Sequence, residues 1–133
     1  VRILHVTPEC FRTEVYFRRV VMGSIEFAVR QLKIPCIILL GHTDCRAVKA
    51  SVEGSFESET IAQMLKLIKP KITELNKAVI ENLQQQFTNM LEIGCVQEGI
   101  KNGVLEAYSM MYDLRTGKVN TLDRAGNKSA HKH

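Results

Sequence analysis

Apolar positions along this chain follow two periods, and their succession sets out strands and helices. Ile3, Leu4 and Val6 lie in a loosely alternating run from Arg2 to Thr7, which predicts a first strand ended by Pro8. From Glu9 to Met22 the pattern is mixed. Val15, Tyr16 and Phe17 read as a short strand there, flanked by Arg12, Arg18 and Arg19. Gly23 and Ser24 then open a helix. Ser24 suits the N-cap, Glu26 falls in the first turn, and Ile25, Ala28, Val29 and Leu32 recur at helical spacing. That helix has to finish before Pro35, because a residue preceding proline avoids the α region. Cys36 to Leu40 is the second clear strand. Its consecutive Ile37, Ile38, Leu39 and Leu40 predict burial on both faces, with Gly41 as the stop.

Downstream the helical period dominates. Arg46 to Val52 predicts two helical turns, broken at Gly54 and Ser55. Ile61, Met64, Leu65 and Ile68 mark one face of an amphipathic helix that stops near Pro70. A longer helix is expected from about Asn76 to Leu91, with Val79, Leu83, Phe87, Met90 and Leu91 on its buried side. Glu92 to Ile100 reads as a further short helix, and Asn102-Gly103 as its stop. Leu105 to Leu114 and Lys118 to Leu122 are strands joined by Arg115-Thr116-Gly117, a hairpin whose glycine can take positive φ.

A strand, a helix and a buried strand in this order form a βαβ unit, so the expected class is α/β, a mainly parallel sheet flanked by helices and finished by a C-terminal hairpin. The 133 residues suit a single domain over 1–127, with 128–133 as a flexible tail. No apolar run approaches the roughly 18 residues of a transmembrane helix, and the amino end reads as a strand, not as a signal peptide. The expectation is a protein of the cytoplasm or of an organelle lumen, without a membrane partner. The formal net charge of +4 is spread along the chain with no interleaved aromatic and basic residues, which argues against nucleic acid as a partner. Cys10, Cys36, Cys45 and Cys95 are widely spaced and contain no C-x-x-C pair, so reduced thiols are expected, with Cys36 and Cys95 in the core.

The candidate chemistry lies just past the second strand. His42 and Cys45 are three residues apart in a loop beyond the carboxyl end of a buried strand, where open α/β sheets place their sites. Imidazole and thiolate both suit zinc, and a catalytic zinc site needs three protein ligands and one open position. Taken alone, H-x-x-C also fits a hydrogen-bonded structural histidine and a cysteine that serves as a small hydrophobe. Asp44 between them reads as an exposed turn residue in preference to a partner for a ligand imidazole.

Several stretches in order carry a family likeness. Gly23-Ser24-Ile25-Glu26-Phe27-Ala28-Val29, Leu39-Leu40-Gly41-His42-Thr43-Asp44-Cys45, Ala47-Val48-Lys49-Ala50, Glu81-Asn82-Leu83, Gly99 to Gly103 and Tyr112 to Val119 together resemble the β-class carbonic anhydrases. The resemblance covers about Gly23 to Asp123. It implies an α/β fold assembled as a homodimer or higher homo-oligomer, zinc as cofactor, and hydration of carbon dioxide to bicarbonate by a zinc-bound hydroxide. It also implies His42 and Cys45 as two metal ligands.

The family's third ligand is a cysteine in a C-x-D-x-R motif whose aspartate and arginine form a dyad beside the metal. Here the likeness breaks. Aligned on the first strand, that cysteine falls on Pro8 and the aspartate on Cys10, while Arg12 matches the dyad arginine. The family's R-N-A-G-N segment is missing between Phe11 and Met22, and Arg46 stands where glycine is usual. Three readings are open: family segments missing from this sequence, loss of the catalytic dyad, or Cys10 serving as the ligand from a position two residues along. The functional expectation is a carbonic anhydrase with Arg12 as its catalytic residue. The alternative is a non-catalytic binding or assembly subunit of the same fold.

Overall fold

The computed structural model describes residues 3–6, 15–65, 68 and 71–126, with the backbone alone for 3–6 and 15–19. Pro8, Cys10 and Arg12 lie outside the described residues, as do Pro70 and the 128–133 tail. In chain order the elements are β1 (Ile3–Val6), α1 (Val15–Arg30), β2 (Cys36–His42), α2 (Arg46–Glu53), α3 (Glu59–Leu65), α4 (Leu75–Leu91), α5 (Gly94–Lys101), β3 (Glu106–Tyr112) and β4 (Val119–Ala125).

The strands form one mixed sheet in the order β1-β2-β3-β4. β1, β2 and β3 run parallel, with Ile3 opposite Cys36 and His42 opposite Tyr112. β4 returns antiparallel across the predicted hairpin, with a register shift between Ser109 and Met110. Gly117 has a φ of 75°, as the tight turn requires. Each parallel crossover steps in the same direction across the sheet, so right-handed connections place α1 and α4 on the same face. Accordingly α4 packs on both β2 and β3, while α5 fills in between α1, α4 and β3.

Among the described residues, burial along the strands follows that helical layer. Ile37 and Leu39 of β2, and Ala107, Ser109 and Met111 of β3, are buried beneath the helices. Ile25 and Ala28 of α1, Val79, Leu83 and Met90 of α4, and Val96 of α5 meet them there. The opposite face carries Cys36, Ile38, Leu40 and His42 beside Glu106, Tyr108, Met110 and Tyr112, all half-buried. Burial of β2 on both faces was therefore too strong an expectation, and Cys36 is not a core residue. Continuous apolar runs also arise where one face is covered and the other only shielded.

Four other expectations are corrected. Val15-Tyr16-Phe17 is not a strand: it is the first turn of α1. Val21, Met22, Ile25, Ala28 and Val29 make one stripe against the core, and this packing overrides the strand preference of the residues before it. For the same reason Gly23-Ser24 is helix interior, not a helix start, and the Ser24 hydroxyl donates back to the Val20 carbonyl at 2.8 Å. β2 does not stop at Gly41 but continues to His42. A Cβ at Gly41 would lie 3.1 Å from Leu83 Cδ2 and 3.3 Å from Met111 Sδ, so glycine here lets α4 approach the strand closely. In α3 the expected stripe holds for Ile61 and Leu65, but Met64 is exposed.

Candidate metal centre

His42 is the last residue of β2, and Cys45 is the N-cap of α2. Both sit at the carboxyl end of the same strand, separated by two loop residues. Strand alternation puts His42 on the half-exposed face of the sheet. The loop then turns the chain so that Cys45 enters the core, where it is 5% exposed.

The imidazole is oriented by its own loop. His42 Nδ1 lies 2.9 Å from the Thr43 carbonyl oxygen. A carbonyl can only accept, so in this hydrogen bond Nδ1 carries the proton and donates, and Nε2 is not the nitrogen engaged. Metal-binding histidines commonly use this arrangement, in which one nitrogen donates to the protein and the other faces the ion. Cys45 stands at the amino end of α2, which carries partial positive charge and suits an anionic sulfur. Its carbonyl accepts the first helical hydrogen bond, from Lys49 at 3.0 Å. Arg46, the next residue, is exposed.

Thr43 and Asp44 hold the loop to two separate elements. The Thr43 amide donates to the Tyr112 carbonyl at 3.0 Å, and its hydroxyl accepts from the Leu114 amide at 3.0 Å. These two bonds carry the β2–β3 pairing one residue past the strand and dock the loop on the hairpin. Asp44 is exposed, as the sequence suggests, and takes the left-handed conformation with φ 56°. Its amide donates to Asn76 Oδ1 at 3.1 Å, across 32 residues of sequence. The hairpin is itself braced by Asp113, whose carboxylate accepts from the Arg115 amide at 2.9 Å. That bond holds the carboxyl below its ordinary value.

An imidazole with a fixed tautomer and a thiol at a helix amino end suit two corners of a tetrahedral zinc site. Among the described residues no group of three or more His, Cys, Asp or Glu side chains is placed to hold a metal ion. The other sequence candidates for this site, Cys10 and Arg12, lie outside the described residues. Sequence reasoning missed Thr43 and Asn76. The position of Thr43 between the two candidate ligands was a usable signal. Asn76 gave none, since nothing local marks a helix-start asparagine as the partner of a loop far upstream.

The known proteins that this chain resembles agree with its fold. A family model described as carbonic anhydrase matches residues 6–119. Among curated relatives, the carbonic anhydrase of Mycolicibacterium smegmatis is 29% identical over 120 residues, covering 80% of this chain and 58% of its own length. That of Pseudomonas aeruginosa is 26% identical over 122 residues, covering 81% and 56%. The chain thus spans little more than half the length of these relatives.

Among solved structures, a tetrameric β-carbonic anhydrase from Sordaria macrospora superposes with a TM-score of 0.70 at 20% identity, over 80% of this chain and 62% of that one. The Coccomyxa β-carbonic anhydrase in complex with acetazolamide gives 0.67 at 23% identity, over 82% and 57%. At such identities the structural likeness speaks for the fold. The family match across residues 6–119 goes further: this chain belongs to the β-class carbonic anhydrase family.

Proposed function

We propose that this chain is a zinc-dependent carbonic anhydrase, catalysing reversible hydration of carbon dioxide to bicarbonate, with His42 and Cys45 as two of its metal ligands. The observation that carries the reading is the arrangement at the end of β2. There His42 donates from Nδ1 to Thr43, which leaves Nε2 as the nitrogen for a metal, and Cys45 caps α2 three residues later. Zinc, when bound, supplies the acidity that turns water into a nucleophile near neutral pH. The chain's own part is to hold the imidazole in one tautomer, to present a sulfur at the positive end of a helix, and to keep that sulfur away from bulk solvent. Arg12 is the candidate dyad arginine, and Cys10 is the candidate third ligand. Membership of a family with a tetrameric structural neighbour supports a homo-oligomer as the working form.

One sequence observation favours a second reading. Pro8 stands where the family's third ligand cysteine falls, and proline has no donor for a metal. On this reading the chain is a non-catalytic binding or assembly subunit that keeps the scaffold. Stopped-flow hydration of carbon dioxide by the purified, zinc-supplemented chain separates the two. Activity that disappears in both His42→Ala and Cys45→Ser establishes the enzyme. A stably folded oligomer with zinc supplied and no hydration above the buffer rate establishes the subunit.

A further inference from the structure

We propose that Asn76, in the first turn of α4, is a positioning residue for the metal loop, acting through the backbone of Asp44; the inference rests on the reading of His42 and Cys45 as ligands. Only Thr43 and Asp44 separate those two residues, so the loop geometry decides whether both can reach one ion. Thr43 is fixed by the strand pairing and by the hairpin. Asp44 has to reverse the chain, and it does so with φ at 56°, a left-handed conformation that residues with a Cβ seldom adopt and that comes at a cost. Its amide bond to Asn76 Oδ1 is the hydrogen bond that offsets this cost and ties the reversal to the rest of the fold.

Asn76 is itself held in place. Glu74 caps α4, accepting from the Asn76 amide at 3.3 Å and the Lys77 amide at 3.0 Å. α4 in turn is seated on β2 by Leu83 against Gly41, one residue before His42. The strand that delivers the imidazole and the helix that fixes the turn are therefore packed directly against one another. Cys45 follows the turn directly, so a shift in Asp44 displaces the sulfur relative to the imidazole. Removal of the Asn76 oxygen releases the turn without touching either ligand.

The test uses the full chain, with Asn76→Ala and with Asn76→Asp, which keeps an oxygen acceptor. Exchange of the Asp44 amide is read first in metal-free protein, by NMR. Protection in the wild type and in Asn76→Asp, lost in Asn76→Ala, is expected. Equal exchange in all three overturns the inference, whatever the metal does. Cobalt(II) binding is read next, by chelator competition and by the sulfur-to-cobalt charge-transfer band. Asn76→Ala is expected to bind cobalt about 10-fold more weakly, as loss of an outer-shell partner does, with Asn76→Asp restoring most of the affinity. Wild-type affinity in Asn76→Ala overturns the inference, and so does a loss that Asn76→Asp leaves uncorrected, which marks a merely structural role. A wild-type chain that takes up no cobalt while its Asp44 amide still depends on Asn76 overturns the ligand reading instead. The inference then falls with it as a statement about metal, and the turn contact alone is left.

Discussion

The two faces of β2 do different work. Toward the helices, Ile37 and Leu39 are fully buried, and Gly41 lets Leu83 and Met111 close over the strand. Toward the other side, Ile38 and Leu40 are half-buried, and the same row ends in His42. A period of two residues therefore separates the packed positions from the candidate ligand along one strand. The covered face anchors the strand so firmly that the final residue of the other face can be presented at a fixed height. Cys45 shows the converse. It lies past the strand, and the left-handed turn at Asp44 sends it back into the core. The candidate site thus draws one donor from the open face and one from the buried interior.

Truncations on the two faces give the largest test of this contrast. Leu83→Ala removes a fully buried side chain over Gly41 and is expected to cost about 3 kcal/mol. Ile38→Ala, on the half-exposed face, is expected to cost less than about 1.5 kcal/mol. Chemical denaturation of both variants measures the difference, and equal losses would mean that the open face is covered after all. Next in size is Gly41→Ala. Its Cβ would crowd Leu83 and Met111, and an expected loss of about 1 kcal/mol measures how tightly α4 presses on the strand. An unchanged denaturation midpoint would show that the two neighbours move aside freely.

The smallest effect concerns Cys36, at the far end of the open face. Burial and the nearby Glu106 carboxylate both raise its thiol above the ordinary value of 9.0, burial the more. A thiol raised on folding favours the folded state fully below the unfolded value. That contribution is lost as pH climbs through the folded value, so alkaline conditions above about pH 9 weaken the fold at this point. In Glu106→Gln the second cause is gone. Alkylation of Cys36 at pH 8.5 is then expected to quicken about twofold, measured by mass spectrometry of the modified peptide. A slower or unchanged rate would show that the carboxylate has no hold on the thiol.

Much of this arrangement can be read from residues close together in sequence. The run Cys36–Leu40, the stripe Val79-Leu83-Phe87-Met90 and the turn Arg115-Thr116-Gly117 each carry a local signal, and each appears as the expected element. The H-x-x-C pair was legible for the same reason: both residues leave one strand within three positions. The start of α1 was not legible, because Val15, Tyr16 and Phe17 prefer strand locally and are claimed by a helix whose buried stripe lies further on. Nor could the covered face of β2 be told from the open one, since Ile37 and Ile38 are chemically alike and only the helical layer distinguishes them. The bond from Asp44 to Asn76 joins residues 32 positions apart and depends on where α4 begins.

X-ray absorption at the zinc edge of the purified chain, loaded with one equivalent of metal, bears most directly on the site. With both residues as ligands, the zinc shell contains sulfur, near 2.3 Å, and nitrogen, near 2.0 Å, distances usual for thiolate and imidazole on zinc. Cys45→Ser is expected to remove a sulfur and His42→Ala a nitrogen from that shell. A shell of oxygen and nitrogen alone, or one that neither substitution alters, would contradict the reading of both residues as ligands.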